Sequence, residues 1–321
     1  MRQAGRYLSE YRAVRATVDF LTLCKTPDLA AQVSLQPIER FGMDGCVIFS
    51  DILIPVEAMG APVSFGDAGP KLESPVRTVA DVNRLREPDP METMPFVFDA
   101  LRLVRTALAG RAALVGFVGG PFTLASYLIE GGGSKNYAAT KQMLYAEPAL
   151  MRALLEKLGG TIAEYAAAQV AAGAQAVQVF DTWAGELAPD AYTSFAAPYQ
   201  SQVIESIQRA GVPAILFVNG CAGKLESMMQ TRADVLSIDW RVDLAAVRAQ
   251  TGGRIALQGN VDPCVLLATP DAATIAAHAA MTAAGPLGHI LNLGHGILPP
   301  TPIACVQSFV DAPKTFSAAA S

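Results

Sequence analysis

Residues 175–183 read QAVQVFDTW, a run of apolar residues that stops abruptly at Asp181 and Thr182. A strand with one face in water alternates apolar and polar residues. A run apolar almost throughout fits a strand buried on both faces of a parallel sheet. Six further stretches share the pattern: GCVIFSD (45–51), ALVGFVGGP (113–121), PAILFVNG (213–220), DVLSIDW (234–240), RIALQGN (254–260) and HILNLGHG (289–296). In each, the apolar run gives way to a polar residue or glycine.

Between these runs lie segments rich in Ala, Leu, Glu and Lys, such as 148–172 and 270–282, which read as helices. Strand alternating with helix indicates βαβ units. Seven such runs, with no linker or low-complexity stretch, predict an α/β chain folded as one (β/α)₈ TIM barrel over residues 1–321. The eighth strand has no clear place in the sequence. A doubly wound open sheet is the alternative, but no G-x-G-x-x-G follows the first strand. The Gly- and Pro-rich insert 60–75 predicts a loop or hairpin over one end.

The chain has 321 residues, 51% of them hydrophobic, and a net charge of −5. That balance argues against nucleic acid as a partner. The cysteines at 24, 46, 221, 264 and 305 are odd in number and contain no C-x-x-C. They read as free thiols in a reducing compartment, and a cytoplasmic location is expected. No apolar run reaches the ~20 residues of a membrane span.

In a barrel of this kind the C-terminal strand ends carry the site. Here those ends are Asp51, Asp181-Thr182, Asn219, Asp239, Asn260 and His295. Any one of them could be a turn or cap residue. Asp51 stands between apolar residues on both sides, so its carboxylate needs a donor or a cation. His295 has a glycine on each side, which allows close backbone approach. It has no H-x-x-x-H or H-x-C partner, so hydrogen bonding fits it better than metal ligation. EGGGSKN (130–136) and NGCAGKL (219–225) lack a phosphate-loop spacing and read as ordinary loops.

The opening MRQAGRYLSEYRAVR places Arg2, Arg6, Arg12 and Arg15 against one acid, Glu10. A targeting peptide, a solvated helix and an anion-binding arm are the competing readings. The segment runs directly into residues that read as folded protein, which disfavours the first.

MRQAGR (1–6) resembles the first signature of the uroporphyrinogen decarboxylase family. GFVGGPFTLASYLIEG (116–131) is similar to its second signature. FSDIL (49–53), LQGNVDPC (257–264) and NLGHGI (292–297) resemble family segments in the same order. The resemblance covers nearly the whole chain, and two long signatures are a specific signal.

The resemblance implies a (β/α)₈ barrel, a homodimer, and work without metal or organic cofactor. It implies conversion of uroporphyrinogen III to coproporphyrinogen III and carbon dioxide in tetrapyrrole biosynthesis, four acetates becoming methyls. Carboxylates of such a substrate call for arginine forks, and its pyrrole N–H groups call for an acceptor. By motif, Asp51 is implied to bind the pyrroles and stabilise the transition state. Arg2 and Arg6 are implied to bind carboxylates, with Arg2 a candidate proton donor and Gln3, Ala4 and Gly5 in the same loop. Tyr127 and His295 are implied to hydrogen-bond substrate carboxylates. Thr182 keeps a hydroxyl where the family often has serine. Arg15 is a further candidate; Arg12 reads as a solvated helix residue.

The sequence starts inside the first signature, so a missing upstream segment is expected. Two rivals remain. A corrinoid or thiol methyltransferase of the same superfamily would bind zinc through H-x-C, but Asn219 stands before Cys221 here. A tetrapyrrole carrier without catalysis would not need Asp51.

Overall fold

The computed structural model describes residues 3–66 and 69–317. Nine strands lie along them: β1 (Gly45–Val47), β2 (Val63–Gly66), β3 (Gly69–Leu72), β4 (Ala113–Gly119), β5 (Ala176–Phe180), β6 (Ala214–Phe217), β7 (Val235–Ser237), β8 (Ala256–Val261) and β9 (His289–Leu293). Seven form one parallel sheet in the order β1-β4-β5-β6-β7-β8-β9. Every apolar run read as a strand is one of the seven. Residues of β6 and β7 are buried throughout; β6 is apolar along its whole length, and the one polar residue of β7, Ser237, is hydrogen-bonded inside the sheet. The insert is an antiparallel hairpin of β2 and β3.

The sheet is curled into a half-barrel. Gln178 of β5, Ser237 of β7 and Gln258 of β8 stand on one face. Gln258 Nε2 donates to Ser237 Oγ at 2.9 Å and to Gln178 Oε1 at 3.3 Å. In a flat sheet β5 and β8 would stand ~14 Å apart, three spacings of ~4.8 Å. Only strong curvature joins them through side chains. The same face carries Phe117, Phe180 and Phe217, with successive ring centroids 5.8 and 6.0 Å apart.

Helices cover the outer face. Several begin with proline, which fixes a helical φ where no N–H is needed: Pro121–Glu130, Pro148–Ala171 and Pro270–Ala284. No described helix is long and apolar enough to cross a membrane. All five cysteines are unpaired, and only Cys264 is exposed.

Candidate active site

The C-terminal ends of the seven parallel strands lie along one rim, and the polar residues that end the apolar runs collect there. Asp51 follows β1. It is half-buried beside buried Leu53 and Ile54, and Leu53 N donates to its Oδ1 at 2.9 Å. Burial, reinforced by the Asp51 charge, pushes the nearby Cys24 thiol up from its ordinary range.

The N-terminal arm packs against β1. Gln3 Nε2 donates to Gly45 O at 2.6 Å, and Val47 N donates to Gln3 Oε1 at 2.8 Å. That is the bonding a parallel neighbour's backbone would make with this edge. Ala4 and Tyr7 are buried, and Tyr7 stacks on Phe41 with centroids 6.3 Å apart. Arg6 is exposed, and a groove separates Gly5, Arg6 and Tyr7 from Ile297 and Pro299, just past His295. Arg12 is an exposed residue of the helix Ser9–Arg15, as expected, and it also clasps the arm: its Nη1 donates to Arg6 O at 2.8 Å and Tyr7 O at 3.2 Å. Arg15 donates to Val18 O. Arg2 lies outside the described residues.

Tyr127 and Thr182 are brought together by an aromatic stack. Tyr127 belongs to the helix Pro121–Glu130, and its ring lies 3.9 Å from that of Trp183. Tyr137 packs on Trp183 at 5.0 Å. Thr182 opens the 3-10 turn Thr182–Glu186 and is half-buried.

Asp181 fastens this arrangement. It is fully buried and accepts from Thr123 N at 2.8 Å, Thr123 Oγ1 at 2.7 Å and Gln200 Nε2 at 2.8 Å. Burial pushes its carboxyl up from its ordinary value of 3.8, opposed by bonds from Gln200 and Thr123. The folded protein therefore binds this proton more tightly than the unfolded chain. Its contribution to stability falls as pH rises from 3.8 through the raised folded value, then levels off. Asp181→Asn should remove that slope. It also turns an amide donor toward Gln200 or Thr123, for a loss of ~1–3 kcal/mol at neutral pH. Urea unfolding of both proteins across the acid range checks both expectations.

His295 stands between Phe217, 5.9 Å away between ring centroids, and Trp240, 6.2 Å away, edge-on to both. A β-carbon on Gly294 would fall 2.4 Å from Trp240 N, so the backbone packing here requires a glycine. The remaining strand-end residues are loop clips. Asp239 is fully buried and accepts from Gly220 N at 2.5 Å, Cys221 N at 2.9 Å and Arg241 N at 2.8 Å. Asn260 Nδ2 donates to Asp239 O at 3.1 Å and Val242 O at 2.7 Å. Cys221 is buried, and its thiol is pushed up to about 12, chiefly by burial and then by the Asp239 charge. Among the described residues, no group of three or more His, Cys, Asp or Glu is placed to hold a metal ion.

Trp183, Tyr137 and Trp240 were not singled out in the sequence. An aromatic three residues past a strand end is the signal that marks Trp183 and Trp240.

The family description "Uroporphyrinogen decarboxylase (URO-D)" matches residues 1–316. A uroporphyrinogen decarboxylase of Geobacter metallireducens is 49% identical over 303 residues, 94% of this chain and 89% of the relative. One of Anaeromyxobacter dehalogenans is 48% identical over 324 residues, 98% of this chain and 93% of the relative. Among solved structures, a methyltransferase from Methanosarcina mazei superposes with a TM-score of 0.81 at 22% identity, covering 94% of this chain and 90% of that one. A B12-independent methionine synthase from Shewanella gives 0.61 at 11% identity, covering 90% and 85%. The two structures share the fold alone. The extent and level of the sequence match place the chain in the uroporphyrinogen decarboxylase family.

Proposed function

We propose that this protein decarboxylates the four acetate side chains of uroporphyrinogen III, giving coproporphyrinogen III and carbon dioxide. One observation carries the reading: a chain of this family presents a half-buried carboxylate, Asp51, at the C-terminal rim of its parallel sheet.

The chemistry needs an electron sink. Protonation of a pyrrole ring at carbon makes the ring cationic. The acetate C–COO bond then breaks, its electron pair enters the ring and carbon dioxide leaves. A proton adds to the resulting exocyclic methylene, and the ring carbon gives its proton back. Each turn consumes one proton and releases one carbon dioxide. A fixed carboxylate facing the pyrrole N–H groups stabilises the cationic ring. Asp51 fills that role, with Arg2 and Arg6 holding carboxylates and Arg2 as proton donor. Gln3, Ala4 and Gly5 shape the arm. Tyr127, Thr182 and His295 hydrogen-bond the substrate. No metal or organic cofactor takes part, and the enzyme works as a cytoplasmic homodimer.

Residues 1–321 form one (β/α)₈ domain, with the arm in the eighth strand position between β1 and β9. Support comes from Gln3, which bonds the outer edge of β1 as a strand would, and from Gly5 to Tyr7 lying beside residues 297–299. The methyltransferase reading has less support, since the likeness to that enzyme is one of fold.

Anaerobic incubation with uroporphyrinogen III, followed by chromatography of oxidised products by carboxyl count, tests the proposal. Products of seven, six, five and four carboxyls should appear without added metal. Octacarboxylate recovered unchanged, though bound, would leave a carrier instead.

A further inference from the structure

The substrate of the proposed reaction carries eight carboxylates, and among the described residues the arm offers a cation, Arg6, at the groove beside Ile297 and Pro299. The loops after β6 and β7 supply another. Arg241 is two residues beyond Asp239, and its Cζ sits 4.1 Å from the Trp240 ring centroid. The Trp240 ring in turn lies 6.2 Å from that of His295. The guanidinium is thus within about 10 Å of the His295 ring, the sum of the two spacings. A tetrapyrrole with side chains spreads further than that.

Three features suit Arg241 to an anion. Its side chain is 49% exposed, so it keeps a face toward solvent. Stacking on Trp240 holds the planar fork flat, and its Nη1 donates to Asn219 Oδ1 at 3.1 Å, which sets the direction of the fork. Its nearest carboxylate, Asp239 at 3.7 Å, already accepts three backbone N–H bonds, so it does not consume the guanidinium donors. By contrast, Lys224 of the neighbouring loop is buried and turned back on Gly220 O at 3.2 Å.

We infer that Arg241 is a carboxylate-binding residue of the cleft, gripping a substrate side chain on the β6–β7 side while the arm grips others. The inference rests on the decarboxylase reading and names a specificity contact for it. The competing role is purely structural: Arg241 would neutralise buried Asp239 and do nothing else.

Steady-state kinetics on uroporphyrinogen III separates the two, with wild type, Arg241→Ala, Arg241→Gln and Arg241→Lys assayed together. Gln keeps a donor for Asn219 without the charge. Loss of a charge-assisted bond should raise KM ~10-fold or more in Ala and Gln, with kcat within about twofold. Lys should recover part of the loss. Added salt should raise the wild-type KM more steeply than that of Gln. An unchanged KM in a folded Gln variant overturns the inference, as does a fall in urea midpoint with KM intact. An inactive wild type overturns the decarboxylase reading itself, an outcome distinct from both.

Discussion

Asp51→Asn should still bind uroporphyrinogen and should lose turnover by ~10²–10³-fold, the usual effect of removing one preorganised electrostatic group. The amide keeps the size of the carboxylate and an oxygen to accept from Leu53 N, now at 2.9 Å. It loses the negative charge that would face a cationic pyrrole. Binding energy is spread over many carboxylates, so affinity should change little; the barrier should change a great deal. Single-turnover product analysis, with affinity followed separately by fluorescence quenching, reads both. Retained turnover with Asn at 51 would remove Asp51 from the chemistry.

Gly185→Ala should destabilise the fold by ~3 kcal/mol or more, at the upper end of overpacking effects. A β-carbon there would sit 1.5 Å from Asn219 O and 2.7 Å from Asn219 C. Both atoms are backbone, so no side chain can swing aside. Either the turn Thr182–Glu186 or the loop after β6 has to move. The first carries Thr182 and Trp183, and the second bonds to Arg241 through Asn219. The urea midpoint should fall sharply, and any folded fraction should show a raised KM. A midpoint within 1 M of wild type, about 1–3 kcal/mol on typical slopes, would contradict this packing.

Much of this architecture was legible in the sequence, because strands buried on both faces leave continuous apolar runs. The seven runs, the hairpin at the insert and the helix at Pro148–Ala171 follow from that rule and from proline and glycine punctuation. The roles of the polar residues ending the runs were not legible from residue type. Asp51 and Asp181 look alike in sequence. Asp181 turns out to serve Thr123, 58 residues away, and Asp239 serves Gly220 and Cys221. Only the fold brings such partners together. Arg12 is the exposed helix residue its sequence suggests, but its bonds to the carbonyls of Arg6 and Tyr7, and the contact of Gly294 with the Trp240 backbone, appear only in the fold. Composition and spacing do not distinguish among these carboxylates; only the resemblance to the family singles out Asp51.

The bonds from Gln3 to β1 have a further consequence. An uncovered parallel edge offers a row of open donors and acceptors to any extended chain, and so invites aggregation. The Gln3 amide occupies Gly45 O and Val47 N with a group that cannot extend the ladder beyond itself. β1 is only three residues long, so one side chain is enough to cover its outward-facing pair. The residue that ties the N-terminal arm to β1 thus also acts as a gatekeeper against strand addition at that edge.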